Sequence, residues 1–181
     1  MQHLGKVELL RVLETAKAAR DRDWLMFLVA YWHGLRATEV VTLQRIAISH
    51  GFITVRRLKG SDTTTQPLIE DENPLLNERQ ALETLAKNTP PLTNLFPFSR
   101  VHYFRLFRKY AKLAGIPAHK WHPHCLKHSV ARHHIKEAGI ENIRKHLGHK
   151  SLSSTGEYLK VTDEEAAEAM AAARAPKRNA S

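Results

Sequence analysis

The stretch DWLMFLVAYWH, residues 23–33, is apolar on nearly every side. A helix without a polar face has to be enclosed by the rest of the fold, so this segment reads as a buried helix. Gly34 follows directly and supplies its stop. Residues 6–19, KVELLRVLETAKAA, carry helical apolar spacing. In LRATEVVTL, just after Gly34, Thr38 is placed to cap a helix that turns Val40, Val41 and Leu43 inward.

Between residues 46 and 69 the period changes from helical to alternating. FITVR, residues 52–56, alternates and is rich in β-formers; TTTQPLI follows after LKGSD. Gly60, Ser61 and Asp62 supply the turn, which predicts a β-hairpin, with IAIS as a short strand ahead of it. Helical patterning resumes over residues 78–87, before the proline-marked loop NTPPLTNLFPF. Further helices are expected over residues 99–114, 126–138 (stopped at Gly139) and 141–147 (stopped at Gly148). The tail from Asp163, a capping residue, starts as an Ala/Glu helix and ends in a basic, disordered segment. The fold class is therefore mainly α with one small antiparallel β-sheet.

The helix at residues 99–114 has two unlike faces. Arg105, Arg108, Lys109 and Lys112 share one side; Phe104, Phe107, Ala111 and Ala114 share the opposite one. Such a helix is shaped to lie against phosphates, although a solvated charged face has the same pattern. The whole chain leans the same way: 28 Lys+Arg stand against 18 Asp+Glu in 181 residues, a net charge of +10. That balance favours polyanions, nucleic acid before membrane surface. A single cysteine excludes an intrachain disulfide and cysteine-rich zinc modules, and fits a reducing cytosol. No apolar run reaches the ~20 residues of a membrane span, and the N-terminus lacks the shape of a signal peptide.

HPHCLKHS, residues 122–129, packs three histidines, a cysteine and a lysine into eight positions. His124 and His128 are spaced i,i+4, which suits two metal ligands on one helix face, with His122, His133 and His134 close in sequence. Against a metal, the interval holds Cys125, Leu126 and Lys127 rather than the glutamate of HExxH, and Lys127 would set a cation beside the ion. A phosphate site is the other reading of these residues, and no metal or other cofactor is expected.

Four segments together resemble the catalytic domain of the tyrosine recombinases, the phage-integrase family. HGLRATEVVTL is similar to its first arginine motif, VRRLKGSDTTTQPL to its hairpin lysine and the following strand, and HPHCLKHSVARHHI to its His-x-Leu-Arg-His box. IRKHLGHKSLSSTGEYLKV resembles its Leu-Gly-His box, with a tyrosine nine residues after the histidine. The order and spacing hold over about residues 6–161. The resemblance implies a fold like that of recombinases and type IB topoisomerases, and an enzyme that breaks and rejoins DNA strands through a 3′-phosphotyrosyl link.

It also implies roles. Tyr158 is the nucleophile, Arg36 and Lys127 hold the phosphate, and Lys59 protonates the leaving 5′-oxygen. His124 and His149 hydrogen-bond the phosphate, with His124 able to accept the tyrosine proton. Glu39 and His128 support the site. The family's second arginine is Lys127 here, and Arg132 lies too far along to replace it. The blander readings are a core tyrosine at Tyr158 and a solvated or DNA-contacting turn lysine at Lys59. The expected layout is a catalytic domain over residues 1–162 and a helical tail over 163–181, exchanged with a neighbouring protomer or folded back in cis. The abrupt start suggests a fragment without the family's N-terminal DNA-clamping domain. The expected partner is double-stranded DNA, bound as a tetramer or, for the isolated domain, a monomer, in the cytoplasm of a prokaryotic host. A chromosome- or plasmid-resolving recombinase, a topoisomerase and a non-catalytic DNA-binding protein remain as alternatives.

Overall fold

A computed structural model describes residues 2–58, 61–151 and 155. Among them are seven α-helices and one three-stranded antiparallel sheet, as the period changes along the chain predict. The helices are α1 (Lys6–Ala19), α2 (Asp21–Trp32), α3 (Ala37–Val41), α4 (Arg79–Lys87), α5 (Arg100–Leu113), α6 (His124–Ala138) and α7 (Ile140–His146). The strands are β1 (Ile48–Ser49), β2 (Phe52–Val55) and β3 (Thr64–Pro67).

The all-round apolar helix sits at the centre. Residues 23–31 of α2 are buried without a break, and α1, α3 and α6 pack around it. Phe27 meets three rings of α5, those of Tyr103, Phe107 and Tyr110, at centroid distances of 5.7, 5.5 and 5.9 Å. These tilted and edge-on pairs are the favourable arrangements for aromatic quadrupoles. The one acid in this run, Asp23, is buried and accepts a hydrogen bond from the Tyr110 hydroxyl at 2.8 Å. Gly34 then turns the chain with φ +57°; a Cβ there would strike the Leu147 side chain, so only glycine fits.

The sheet is held by its alternation. Ile53 and Val55 of β2 face inward, paired across the ladder with Gln66 and Thr64 of β3. Phe52 and Thr54 face outward. The loop from β2 to β3 spans residues 56–63, longer than a tight turn.

Three sequence expectations shift. Thr38 does not cap α3: Arg36 occupies the cap position, and the Glu39 carboxylate reaches back to its N–H at 2.8 Å. A charged acceptor at the third helical position outcompetes a hydroxyl already inside the first turn. Phe104 is not on the inner face of α5; it is 37% exposed, while Tyr103, Phe107, Tyr110 and Ala111 are buried. Phe107, Ala111 and Ala114 are buried as expected, and Tyr103 and Tyr110 rather than Phe104 complete the apolar stripe. Helix α6 starts at His124, two residues before Leu126, so the histidine box lies within its first turns. Lys59, Gly60, Tyr158 and the tail from Asp163 lie outside the described residues.

Candidate active site

The site is assembled where the end of α2, the start of α3, the hairpin, the first turns of α6 and the segment after α7 meet. Its central anion is Glu39, which is 3% exposed. This carboxylate accepts four hydrogen bonds: from the Arg36 N–H (2.8 Å), Arg36 Nη1 (2.9 Å), Arg57 Nη1 (3.3 Å) and the Leu58 N–H (3.1 Å). Burial alone would raise its pKa, but the two backbone donors and the charges of Arg57 and Lys127 take it below the usual carboxylate range. Glu39 thus stays charged and cannot itself serve as a proton donor near neutral pH.

Arg36 is held in place by that carboxylate while keeping part of its guanidinium in the open, with 24% of the side chain exposed. Its Nη1 also reaches the Leu58 carbonyl and its Nη2 the Ser61 hydroxyl, both at 3.4 Å. Leu58 and Ser61 bracket the pair Lys59–Gly60. The next residue, Asp62, donates its N–H to the Gly148 carbonyl at 3.0 Å. Both ends of the segment bearing Lys59 are therefore tied to the site.

Lys127 is buried on α6 and donates from Nζ to the Gly34 carbonyl at 3.0 Å. Burial, then the nearby charges of Arg57 and Arg36, bring its pKa down to about 7, with Glu39 opposing. Lysine is a compact cation that sheds its proton when desolvated, which an arginine at this position would not do.

His149 is buried, with Nδ1 3.1 Å from the Thr155 hydroxyl. Burial, then Lys127, Arg36 and Arg57, hold its imidazole down at about 4, so it is neutral at ordinary pH. His124 has an exposed edge at the start of α6 and meets His128 edge-on, ring centroids 4.3 Å apart. Partial burial, then the charge of Lys127, lowers its pKa as well. His128 is driven further, to about 3, by burial and then by His124 and Lys127. A neutral imidazole beside a phosphate can donate one hydrogen bond and accept a proton at its other nitrogen.

Arg36, Glu39, Lys127, His124 and His149 are thus brought together. The cluster sets three cations, Arg36, Arg57 and Lys127, around one carboxylate. That excess of positive charge suits a tetrahedral anion. Arg105, Arg108, Lys109 and Lys112 stand exposed on α5, on the side away from Phe107 and Tyr110. Among the described residues, no three His, Cys, Asp or Glu side chains converge as metal ligands.

Sequence reasoning missed two elements. Arg57 is 5% exposed and its guanidinium is fully enclosed. A signal was present: in FITVRR, Arg57 has the inward parity of Ile53 and Val55. The other is a buried relay in which His33 bridges Gln66 Oε1 (2.6 Å) and Glu78 Oε1 (2.7 Å), while Gln66 donates to the His146 carbonyl (2.7 Å).

Residues 2–165 match the phage integrase family. The chain belongs to that family. Among family relatives, the tyrosine recombinase XerA of Pyrococcus furiosus is 33% identical over 177 residues, 92% of this chain and 60% of its own length. A crystal structure of XerA recombinase superposes with a TM-score of 0.75 at 22% identity, covering 97% of this chain and 64% of that one. The site-specific recombinase XerH, solved bound to its difH substrate in a pre-cleavage complex, gives a TM-score of 0.70 at 19% identity over 94% of this chain and 54% of that one. The chain thus spans about three-fifths of the curated relative's length and carries the integrase-family catalytic fold. No described helix is long and apolar enough to cross a membrane.

Proposed function

We propose that this chain is the catalytic part of a site-specific DNA recombinase, an integrase that cuts and rejoins strands through Tyr158. The supporting observation is the crowd of Arg36, Arg57 and Lys127 around the single carboxylate of Glu39, with two neutral histidines beside it. In the proposed reaction the Tyr158 oxygen attacks a DNA phosphorus and its proton passes to His124. The bond from phosphorus to the 5′-oxygen breaks, and Lys59 supplies the proton that leaves a 5′-hydroxyl. Arg36 and Lys127 take up the negative charge that builds on the non-bridging oxygens, and His149 adds a hydrogen bond. The bond energy is retained in the 3′-phosphotyrosyl link, so reversal with a new 5′-hydroxyl completes the exchange.

Double-stranded DNA is the proposed partner, drawn by the net charge of +10 and by the exposed cations of α5. The XerH relative of the same fold is solved on a DNA substrate. Assembly as a tetramer on DNA and a cytoplasmic location in a prokaryotic host belong to the same reading.

The test uses duplexes of randomised core sequence carrying nicks, so that cleavage releases a short product and traps the protein on DNA. A covalent adduct on a denaturing gel that disappears in Tyr158→Phe is the expected result. One observation favours a second reading, a binder without catalysis: Lys127 stands where the family has arginine and loses its charge near neutral pH. Retarded DNA with no adduct at any pH would decide for the binder.

A further inference from the structure

Arg57 makes five hydrogen bonds from a guanidinium that solvent does not reach. Nε donates to the Thr64 hydroxyl at 3.0 Å, across the hairpin. Nη1 donates to the Gly34 carbonyl at 3.1 Å and to Glu39 Oε2 at 3.3 Å. Nη2 donates to the carbonyls of His33 at 2.7 Å and His146 at 3.0 Å. One side chain therefore joins β3, the turn after α2, the acid of α3 and the end of α7.

Those are the segments that carry the proposed chemistry. Lys59 is two residues after Arg57, Arg36 two after Gly34, and His149 three after His146. Resting on the reading above, we propose that Arg57 is a positioning residue, which sets the lysine-bearing hairpin in register with Arg36 and His149 for proton delivery to the leaving oxygen. Arg57 has no exposed donor with which to reach DNA itself. Its planar fork spans acceptors on several segments at once, which a lysine's single point charge cannot do. Misplacement of a reacting group by about 1 Å costs about 10²-fold in rate.

The consequence is specific to one step. Without Arg57, the general acid is misplaced more than the phosphate clamp, because Arg36 keeps its own bonds to Glu39. Replacing the bridging 5′-oxygen by sulfur makes a leaving group that departs without a proton, and so removes the need for a general acid.

The experiment first recovers the preferred site by adduct capture from the randomised nicked pool, then compares cleavage of that site with oxygen or sulfur at the bridging position. The readout is the ratio of the two rates within each variant, from which the folded fraction cancels. We expect the sulfur-to-oxygen ratio to rise about 10²-fold in Arg57→Met and less in Arg57→Lys and Thr64→Val. If Arg57→Met does not fold, the other two hairpin variants carry the comparison. A raised ratio in Lys59→Met with an unchanged one in the Arg57 and Thr64 variants overturns the positioning role alone. An unchanged ratio in Lys59→Met overturns the assignment of Lys59 and the positioning role with it.

Discussion

Lys127 and Arg57 donate to the same oxygen, the carbonyl of Gly34, at 3.0 and 3.1 Å. Two cations from α6 and from the hairpin meet on one backbone atom, at the turn that leads to Arg36. Their mutual repulsion, added to burial, is part of why Lys127 titrates near 7.

This makes cleavage pH-dependent in a way that the substituted lysine dictates. Above about pH 7 the free protein loses the Lys127 charge, so kcat/KM on the captured DNA site should fall on the alkaline side with an apparent pKa near 7. Lys127→Arg should move that limb upward, and Lys127→Ala should abolish it at a lower overall rate. Stability follows the opposite trend. The unfolded lysine holds its proton up to about 10.5, so between 7 and 10.5 the unfolded state binds more protons and the folded state gains with rising pH. The melting temperature of wild type minus that of Lys127→Met should therefore rise over that window.

Glu39 is expected to be the costliest single charge to remove. Glu39→Gln leaves Arg57 enclosed without its counter-ion, and breaking a buried pair from one side costs about 3–5 kcal/mol. Urea denaturation of the two proteins measures the difference; a loss below about 1 kcal/mol would place Glu39 among ordinary surface pairs.

Gly148 is where the histidine segment touches the hairpin. At φ +68°, an added Cβ would lie 2.7 Å from the Asp62 carbonyl oxygen and 2.9 Å from Arg57 Cγ. Gly148→Ala should lower stability by about 1–3 kcal/mol and reduce adduct formation by more than its stability loss explains. Thermal melts and gel assays on the same preparation check both.

The cations of α5 should act on affinity without acting on the fold. Removing one cation that neutralises a DNA phosphate reduces the slope of log K against log salt by about 1, so Arg108→Ala with Lys112→Ala should flatten it by about 2 at unchanged melting temperature. Titration of a random duplex over a range of KCl concentrations reads the slope. An unaltered slope would assign these residues to a merely solvated face.

Much of the fold is written locally in the chain. The central helix is legible because no polar face interrupts residues 23–33, and Gly34 follows as its stop. The hairpin is legible from its alternation, and four ordered motifs pick out Arg36, Glu39, His124, Lys127 and His149, which the fold brings together. What stays hidden depends on distant partners. Arg57 carries the inward parity of its strand, but a charge there becomes tolerable only once residues 33, 34, 39, 64 and 146 supply acceptors. The cap of α3 is not legible because a hydroxyl is a good local acceptor, and only the geometry shows that Glu39 reaches back instead. Phe104 is internal by residue type, but the places against Phe27 are taken by Tyr103, Phe107 and Tyr110.

Of the five acceptors around Arg57, three are main-chain carbonyls, at residues 33, 34 and 146. Every amino acid carries that atom, so replacing the residues that own it leaves those acceptors chemically available. The donor has no such redundancy. In a saturation library, the carbonyls of residues 33 and 146 should keep their role through substitution, whereas Gly34, Glu39 and Arg57 should tolerate little, which makes Arg57 a fragile point of the assembly although its enclosed guanidinium has no exposed donor.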